Sequence, residues 1–314
     1  CFETELNFPP ASVVKKVAVV GAGPAGLACA TFAAERGHKV TLFDQADDIG
    51  GQFNMARKIP GKEEFDETIR YFRQRIDDTG VTLQLGSRVD TDMLNGFDER
   101  VIATGVSPRI PAIEGIDHAS VLTYLDVLRD GAPVGKRVAI IGAGGIGFDV
   151  ADFLAHDHDQ PSPSLSMEAF AKDWGIDLSL EARGGVVGVK PEPLQAVRQL
   201  TLLQRKDSKP GKNLGKTTGW VHRMNLKRRG IEALTGVSYK KIDDEGLHIE
   251  RDGESQLLPV DHVVICAGQL SNQDLFDSLK ANGHAAHLLG GAFEARELDA
   301  KHAIRQGAEL AARL

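Results

Sequence analysis

The chain has 314 residues, 42% hydrophobic and 26% charged, with a formal net charge of −7. That length gives room for about two domains, and the acidic balance speaks against general nucleic-acid binding. No apolar run reaches the ~18 residues of a membrane helix, so no membrane contact is expected. Cys1, Cys29 and Cys266 fit neither a disulfide framework, nor a zinc site, nor a Cys-x-x-Cys redox pair. A reducing, cytoplasmic setting is the simplest reading, with Cys29 and Cys266 as small core residues. No signal peptide is evident. A start at Cys1 rather than Met points to a processed product, an excised fragment or a trimmed chain.

Lys16-Val17-Ala18-Val19-Val20 predicts a strand buried on both faces of a parallel sheet. Gly21, Gly23 and Gly26 follow at the spacing of a dinucleotide fingerprint. The first glycine permits a tight turn, the second lets a pyrophosphate approach the backbone, and the third lets helix pack on strand. An Ala-rich helix is expected over 27–36, stopped by Gly37, its N-terminus offering free N–H groups to phosphate. The next strand, 39–43, ends in Asp44, where an acid accepts hydrogen bonds from a ribose 2′-hydroxyl. The alternative is a bare glycine turn, which the register of strand, glycines, helix and acid disfavours. Gly50-Gly51-Gln52 comes next. Flavoprotein disulfide reductases carry a similar Gly-Gly segment here, a resemblance that favours FAD over a nicotinamide cofactor; the other reading is a plain loop.

A strand at 101–105 ends in Ala-Thr-Gly, with Gly105 last, and Pro108, Pro111 and Gly115 mark a crossing. Arg137-Val138-Ala139-Ile140-Ile141 repeats the buried strand, Gly142, Gly144 and Gly147 repeat the glycines, and a helix follows over 146–154. Two fingerprints imply two bound dinucleotides, and bound redox dinucleotides usually exchange electrons. A simple unit would reach its next strand within about 30 residues. Here 155–196, rich in Pro and Gly, reads as an irregular insertion with a short helix near 167–174, functional or an interface element. The strand resumes at 200–204 and ends in Arg205-Lys206. A basic pair attracts the 2′-phosphate that an acid would repel, and so selects NADPH over NADH; the alternative is a solvated basic loop. The Gly- and Lys-rich stretch 209–220 lacks P-loop spacing and reads equally as a cover over NADPH or a plain loop.

The strand at 263–268 ends much as 101–105 does. Two such returns suit a chain that leaves one nucleotide domain, builds another and comes back. The expected fold is α/β, with two Rossmann-like dinucleotide-binding domains of the three-layer ββα, disulfide-reductase-like kind. The FAD-binding domain takes 1–112 plus 269–314, and the NADPH-binding domain, 113–268, is inserted in it.

With these residues in hand, the chain resembles the C-terminal half of bacterial NADPH-dependent 2,4-dienoyl-CoA reductases, a family related to trimethylamine dehydrogenase. The matching stretches lie within 17–220 and include Ile-Gly-Gly-Gln-Phe-Asn, Ile-Pro-Gly-Lys-Glu-Glu-Phe, Ile-Gly-Ala-Gly-Gly-Ile-Gly-Phe-Asp and Gly-Lys-Thr-Thr-Gly-Trp; the ending Gly-Gly-Ala-Phe-Glu-Ala-Arg-Glu-Leu-Asp-Ala also matches. The resemblance implies a role in β-oxidation of unsaturated acyl-CoA. Electrons would pass from NADPH to FAD, then to a 4Fe–4S cluster and an FMN-bearing barrel. The barrel and the four cluster cysteines have no counterpart in these residues, so the chain alone is not expected to reduce a dienoyl-CoA. Position by position, the resemblance implies FAD contacts at Ala25, Asp44, Gln52, Lys62 and Val89. It adds Gly291 and Leu298-Asp299-Ala300, the segment whose helix N-terminus faces the flavin. Arg205 and Lys206 correspond to the 2′-phosphate pair. A contact upstream of Cys1 would be lost, loosening FAD.

Hydride transfer between stacked rings needs no nucleophile, only close approach and a stable site for the developing charge. Asp149 is the eighth residue counted from Gly142. Disulfide reductases have an acid at that offset, paired with a lysine beside flavin N5, which makes Lys62 and Asp149 the catalytic candidates. The competing reading is an acid at a helix start and a solvated lysine. For the whole chain, the alternatives are a module holding ADP structurally, as in the trimethylamine dehydrogenase branch, or a stand-alone NADPH–flavin reductase.

Overall fold

The computed structural model describes residues 4–295 and 299–314, so Cys1 and Leu298 lie outside the described residues. The chain divides into two units. The first comprises the chain up to Met55, Glu64–Ser107 and Gln269–Leu314; the second comprises Ala56–Glu63 and Pro108–Gly268. The crossing therefore falls at 107/108 rather than at 112, and 56–63, expected in the FAD domain, packs with the second unit. The reason is local tethering: Lys58 Nζ donates to the Leu128 carbonyl at 2.5 Å, and Gly61 N to Ser164 Oγ at 3.1 Å.

The first unit is built on a parallel sheet ordered His287–Leu288, Glu99–Ile102, Lys16–Val20, Lys39–Phe43, Thr82–Gln84. Alternate residues of Lys16–Val20 enter different cores. Val17 and Val19 pack with the Pro24–Glu35 helix, while Ala18 and Val20 pack with Leu94 and Leu279. Burial on both faces explains the unbroken apolar run. The Pro24–Glu35 helix starts three residues before the expected 27, because proline at its first turn has no N–H to lose there. The 101–105 strand is Glu99–Ile102; Ala103 to Gly105 follow it, with Ala103 N still donating to the Val20 carbonyl at 2.8 Å.

In the second unit the parallel order is Val121–Thr123, His262–Ile265, Arg137–Ile141, Gln199–Leu203, Glu232–Leu234. A three-stranded antiparallel sheet, Ser238–Asp243, Gly246–Arg251 and Glu254–Leu258, covers one side. Its Ile242, Leu247 and Ile249 share a core with Ala139, Ile141 and Val263. The insertion carries the Met167–Trp174 helix, capped by Ser166 and stopped by Gly175 at φ +69°. Arg228 lies 4.7 Å over the Trp174 ring and holds that helix to the Gly219–Arg228 helix. Cys266, expected within a strand, stands just past His262–Ile265, but its N–H still reaches the Ile141 carbonyl at 2.8 Å.

Candidate functional site

Each unit holds a strand–glycine–helix cradle on one plan. In the first, Gly21 has φ +110°, and a Cβ there would stand 2.2 Å from the Ala103 carbonyl oxygen. A Cβ on Gly26 would stand 1.8 Å from the Gly21 oxygen, yet one on Gly23 would meet nothing within 4 Å. The outer glycines are thus fixed by the protein's own packing, and the middle one faces open space. In the second cradle, a Cβ on Gly142 would stand 2.2 Å from the Cys266 oxygen and one on Gly147 1.7 Å from the Gly142 oxygen, while Gly144 is open. Backbone N–H groups over an open glycine at a helix start suit a diphosphate. On this test the residues present fit a dinucleotide in both places.

Around the first cradle, Gly51 packs directly on Gly23, its position for a Cβ 2.9 Å from the Gly23 Cα. Gln52 beside it is exposed. Asp44 Oδ2 accepts from Ala22 N at 2.6 Å and Oδ1 from Ala46 N at 2.8 Å. The carboxylate therefore braces the glycine turn and retains further lone pairs for hydrogen-bond donors. Val89 packs its side chain against the Val20–Phe43–Leu94 core. Gly105 and Gly291 abut, since a Cβ on Gly291 would lie 3.2 Å from the Gly105 carbonyl carbon. Asp299 caps the Ala300–Ala311 helix, accepting from His302 N at 2.8 Å, and that hydrogen bond first of all holds its carboxyl below the usual range. Sequence reasoning missed Gly307 in the same helix. A Cβ there would stand 2.3 Å from the Ala25 oxygen, so this glycine lets the helix press onto the fingerprint helix. An isolated glycine inside an amphipathic helix was the available signal.

Around the second cradle, Arg205 and Lys206 are exposed just beyond Gln199–Leu203, and neither makes an ion pair among the described residues. Lys62 Nζ donates to both Asp149 oxygens, at 2.6 and 2.7 Å, with side chains 28% and 25% exposed. Lys62 sits on a turn, its N–H bonded to the Ile59 carbonyl at 2.9 Å. Asp149 stands on the Gly145–Ala155 helix. One turn along, Asp152 is buried, and Arg229 Nε lies 3.8 Å from its Oδ1. Burial pushes the Asp152 carboxyl up, and the Arg229 charge opposes that only in part. This second charged pair was also missed; its signal was an acid three residues after Asp149 in an otherwise apolar helix.

Residues 15–287 match the family model described as pyridine nucleotide-disulphide oxidoreductase. The chain belongs to that family. It is accordingly an FAD- and NAD(P)H-linked oxidoreductase with the paired Rossmann-like fold of its members. A metal reductase of Desulforamulus reducens is 29% identical over 307 residues, covering 96% of this chain and 44% of that protein. A bilirubin reductase of Mediterraneibacter gnavus is 28% identical, covering 98% of this chain and 42% of that one. Among solved structures, a 2-naphthoyl-CoA reductase complex superposes with a TM-score of 0.81 at 27% identity, over 98% of this chain and 41% of that chain. The chain thus spans less than half the length of these relatives. Thioredoxin reductase of T. acidophilum shares the fold, with a TM-score of 0.64 at 18% identity, over 95% of this chain and 97% of that one. A redox disulfide is not among the described residues: Cys29 and Cys266 are free and buried. Burial pushes the Cys29 thiol up to about 12 and raises that of Cys266 as well.

Proposed function

We propose that this chain is the electron-input module of a larger flavoprotein reductase, taking hydride from NADPH onto FAD and passing electrons to a domain outside these residues. The observation that carries the reading is the pair of open cradles with opposite endings, Asp44 after one and Arg205-Lys206 after the other. When bound, NADPH supplies the hydride and FAD accepts it. Asp44 orients the ribose of FAD, and Gly51, Gln52, Val89, Gly105, Gly291, Asp299 and Ala300 complete that site. Arg205 and Lys206 hold the 2′-phosphate. Lys62 is the cation that meets the developing charge, and Asp149 positions it.

Relatives named for metal, bilirubin and 2-naphthoyl-CoA share this stretch as less than half of their length. Unlike substrates over one shared module suit substrate chemistry located elsewhere. A 2,4-dienoyl-CoA reductase, with a 4Fe–4S and FMN barrel as the partner domain in the cytoplasm, is the specific assignment we favour. Neither buried cysteine serves as an internal thiol acceptor, which directs the electrons outward.

Cofactor released from the purified chain, after FAD supplementation, is expected to be FAD by mass; ADP alone would end the electron-transfer reading. With NADPH the chain should reduce ferricyanide or a dye but not a dienoyl-CoA. Turnover of the acyl-CoA by these residues alone would refute the placement of substrate chemistry elsewhere. Arg205→Ala should weaken NADPH binding about tenfold or more, since a charge-assisted hydrogen bond is worth roughly 1.5–3 kcal/mol, and leave NADH nearly unchanged. Equal loss for both nucleotides in a titration would make Arg205 structural.

A further inference from the structure

The segment between Gln199–Leu203 and Gly219–Arg228 concentrates charge in an unusual way. Five of the twelve residues from 205 to 216 are basic, against one acid, Asp207, in a chain of net charge −7. Asp207 accepts from the Thr235 hydroxyl at 3.1 Å. Lys209, Lys212 and Lys216 are exposed and make no ion pair among the described residues. Like charges gathered without counter-charge repel one another until an anion arrives.

The segment is also fastened in place. Gly211, at φ +64°, donates its N–H to the carbonyl of Ala143, inside the second fingerprint, at 3.0 Å. Its own carbonyl accepts from Arg223 Nη1 at 3.1 Å. A Cβ there would stand 2.9 Å from Phe148 Cζ, so the backbone is pressed onto the helix that the fingerprint opens. Four residues on, the Gly215 carbonyl accepts from Thr218 N at 3.2 Å and Gly219 N at 2.7 Å. Lys212 and Lys216 each follow one of these glycines, and the Gly211 bond ties the segment to Ala143, the residue that precedes the open Gly144.

We propose that residues 209–218 form a cationic strap over the second cradle, with Lys212 and Lys216 binding the diphosphate of the nicotinamide dinucleotide. The proposal rests on the NADPH reading given above. It divides the anion between two groups of residues: Arg205 and Lys206 take the 2′-phosphate, and the strap takes the diphosphate that NADPH and NADH share. Lysine suits that role as a mobile point charge on a fixed backbone.

The test is calorimetric titration of the FAD-saturated chain with two fragments, ADP-ribose (diphosphate, no 2′-phosphate) and 2′-AMP (2′-phosphate, no diphosphate). The double variant Lys212→Ala, Lys216→Ala should bind ADP-ribose about tenfold or more weakly and 2′-AMP as before. Arg205→Ala should do the reverse. Gly211→Val, which keeps every charge but displaces the strap, should also weaken ADP-ribose. Unchanged ADP-ribose affinity in the double variant, or equal loss of both fragments, would overturn the strap. If Arg205→Ala behaves as expected while the double variant is unchanged, only the strap falls. If the unaltered chain binds neither fragment, the NADPH reading falls and takes the strap with it.

Discussion

Lys62→Met should slow reduction of the flavin by NADPH at least about tenfold while FAD stays bound. The argument is electrostatic. Hydride transfer builds negative charge on the acceptor, and a fixed cation lowers the cost of that charge without reorganising. Lys62 is fixed by two hydrogen bonds to Asp149, at 2.6 and 2.7 Å. Removing such a stabiliser from a closed site typically costs about 10²–10³ in rate. The two side chains are 28% and 25% exposed, so solvent screens part of the effect and the loss should fall toward the lower end. Asp149→Asn should slow the step less, because the cation remains and only its orientation is lost. Stopped-flow absorbance at the flavin band measures both. A rate unchanged in Lys62→Met would return the residue to a solvated surface role, and loss of FAD would make it a binding group instead.

The largest expected effect on stability is at Arg229. Its side chain is 5% exposed, and its partner Asp152 is 11% exposed. Replacing one member of a buried pair leaves the other charge uncompensated, which costs about 3–5 kcal/mol. Here Asp152 Oδ1 and Arg229 Nη1 have no hydrogen-bond partner, so the pair is loosely made and Arg229→Leu should fall near the lower end of that range. The sign with pH follows from Asp152. Burial raises its carboxyl above the ordinary value, and Arg229 is the leading charge that opposes the rise. A carboxyl whose folded value is raised contributes stability that is complete below its unfolded value and is lost as pH rises through the folded one. The Arg229→Leu deficit should therefore be larger near pH 8 than near pH 5, and adding Asp152→Asn should recover much of it. Denaturant titrations at the two pH values decide this. A deficit that ignores pH would show that Arg229 acts through packing alone.

Much of this molecule follows from segments shorter than about thirty residues. A buried strand, three glycines, a helix and the residue ending the next strand are all close neighbours in the chain. Lys16–Val20 with Gly21, Gly23 and Gly26, and Arg137–Ile141 with Gly142, Gly144 and Gly147, therefore announce their two cradles without reference to anything distant. The contrast between Asp44 and Arg205-Lys206 is read from position at the end of the next strand, although in the second unit the insertion 155–196 sets that strand well beyond about thirty residues. The return of the chain to its first unit was legible in the paired endings near Gly105 and Gly268, although its boundaries were not.

The tertiary structure decided what depends on residues far apart. Nothing near 56–63 marks it as part of the second unit; its hydrogen bonds to Leu128 and Ser164 do. Lys62 and Asp149 are separated by 87 positions, and only a family likeness, not the pattern of the residues themselves, linked them beforehand. Arg229 gives no periodic sign of being buried on Asp152, because a charge reads as surface until its counter-charge is found. Gly307 against Ala25 and Gly211 against Phe148 are close approaches between elements. A glycine that admits a distant backbone has the same spelling as one that merely turns the chain, so the difference exists only once the two surfaces meet.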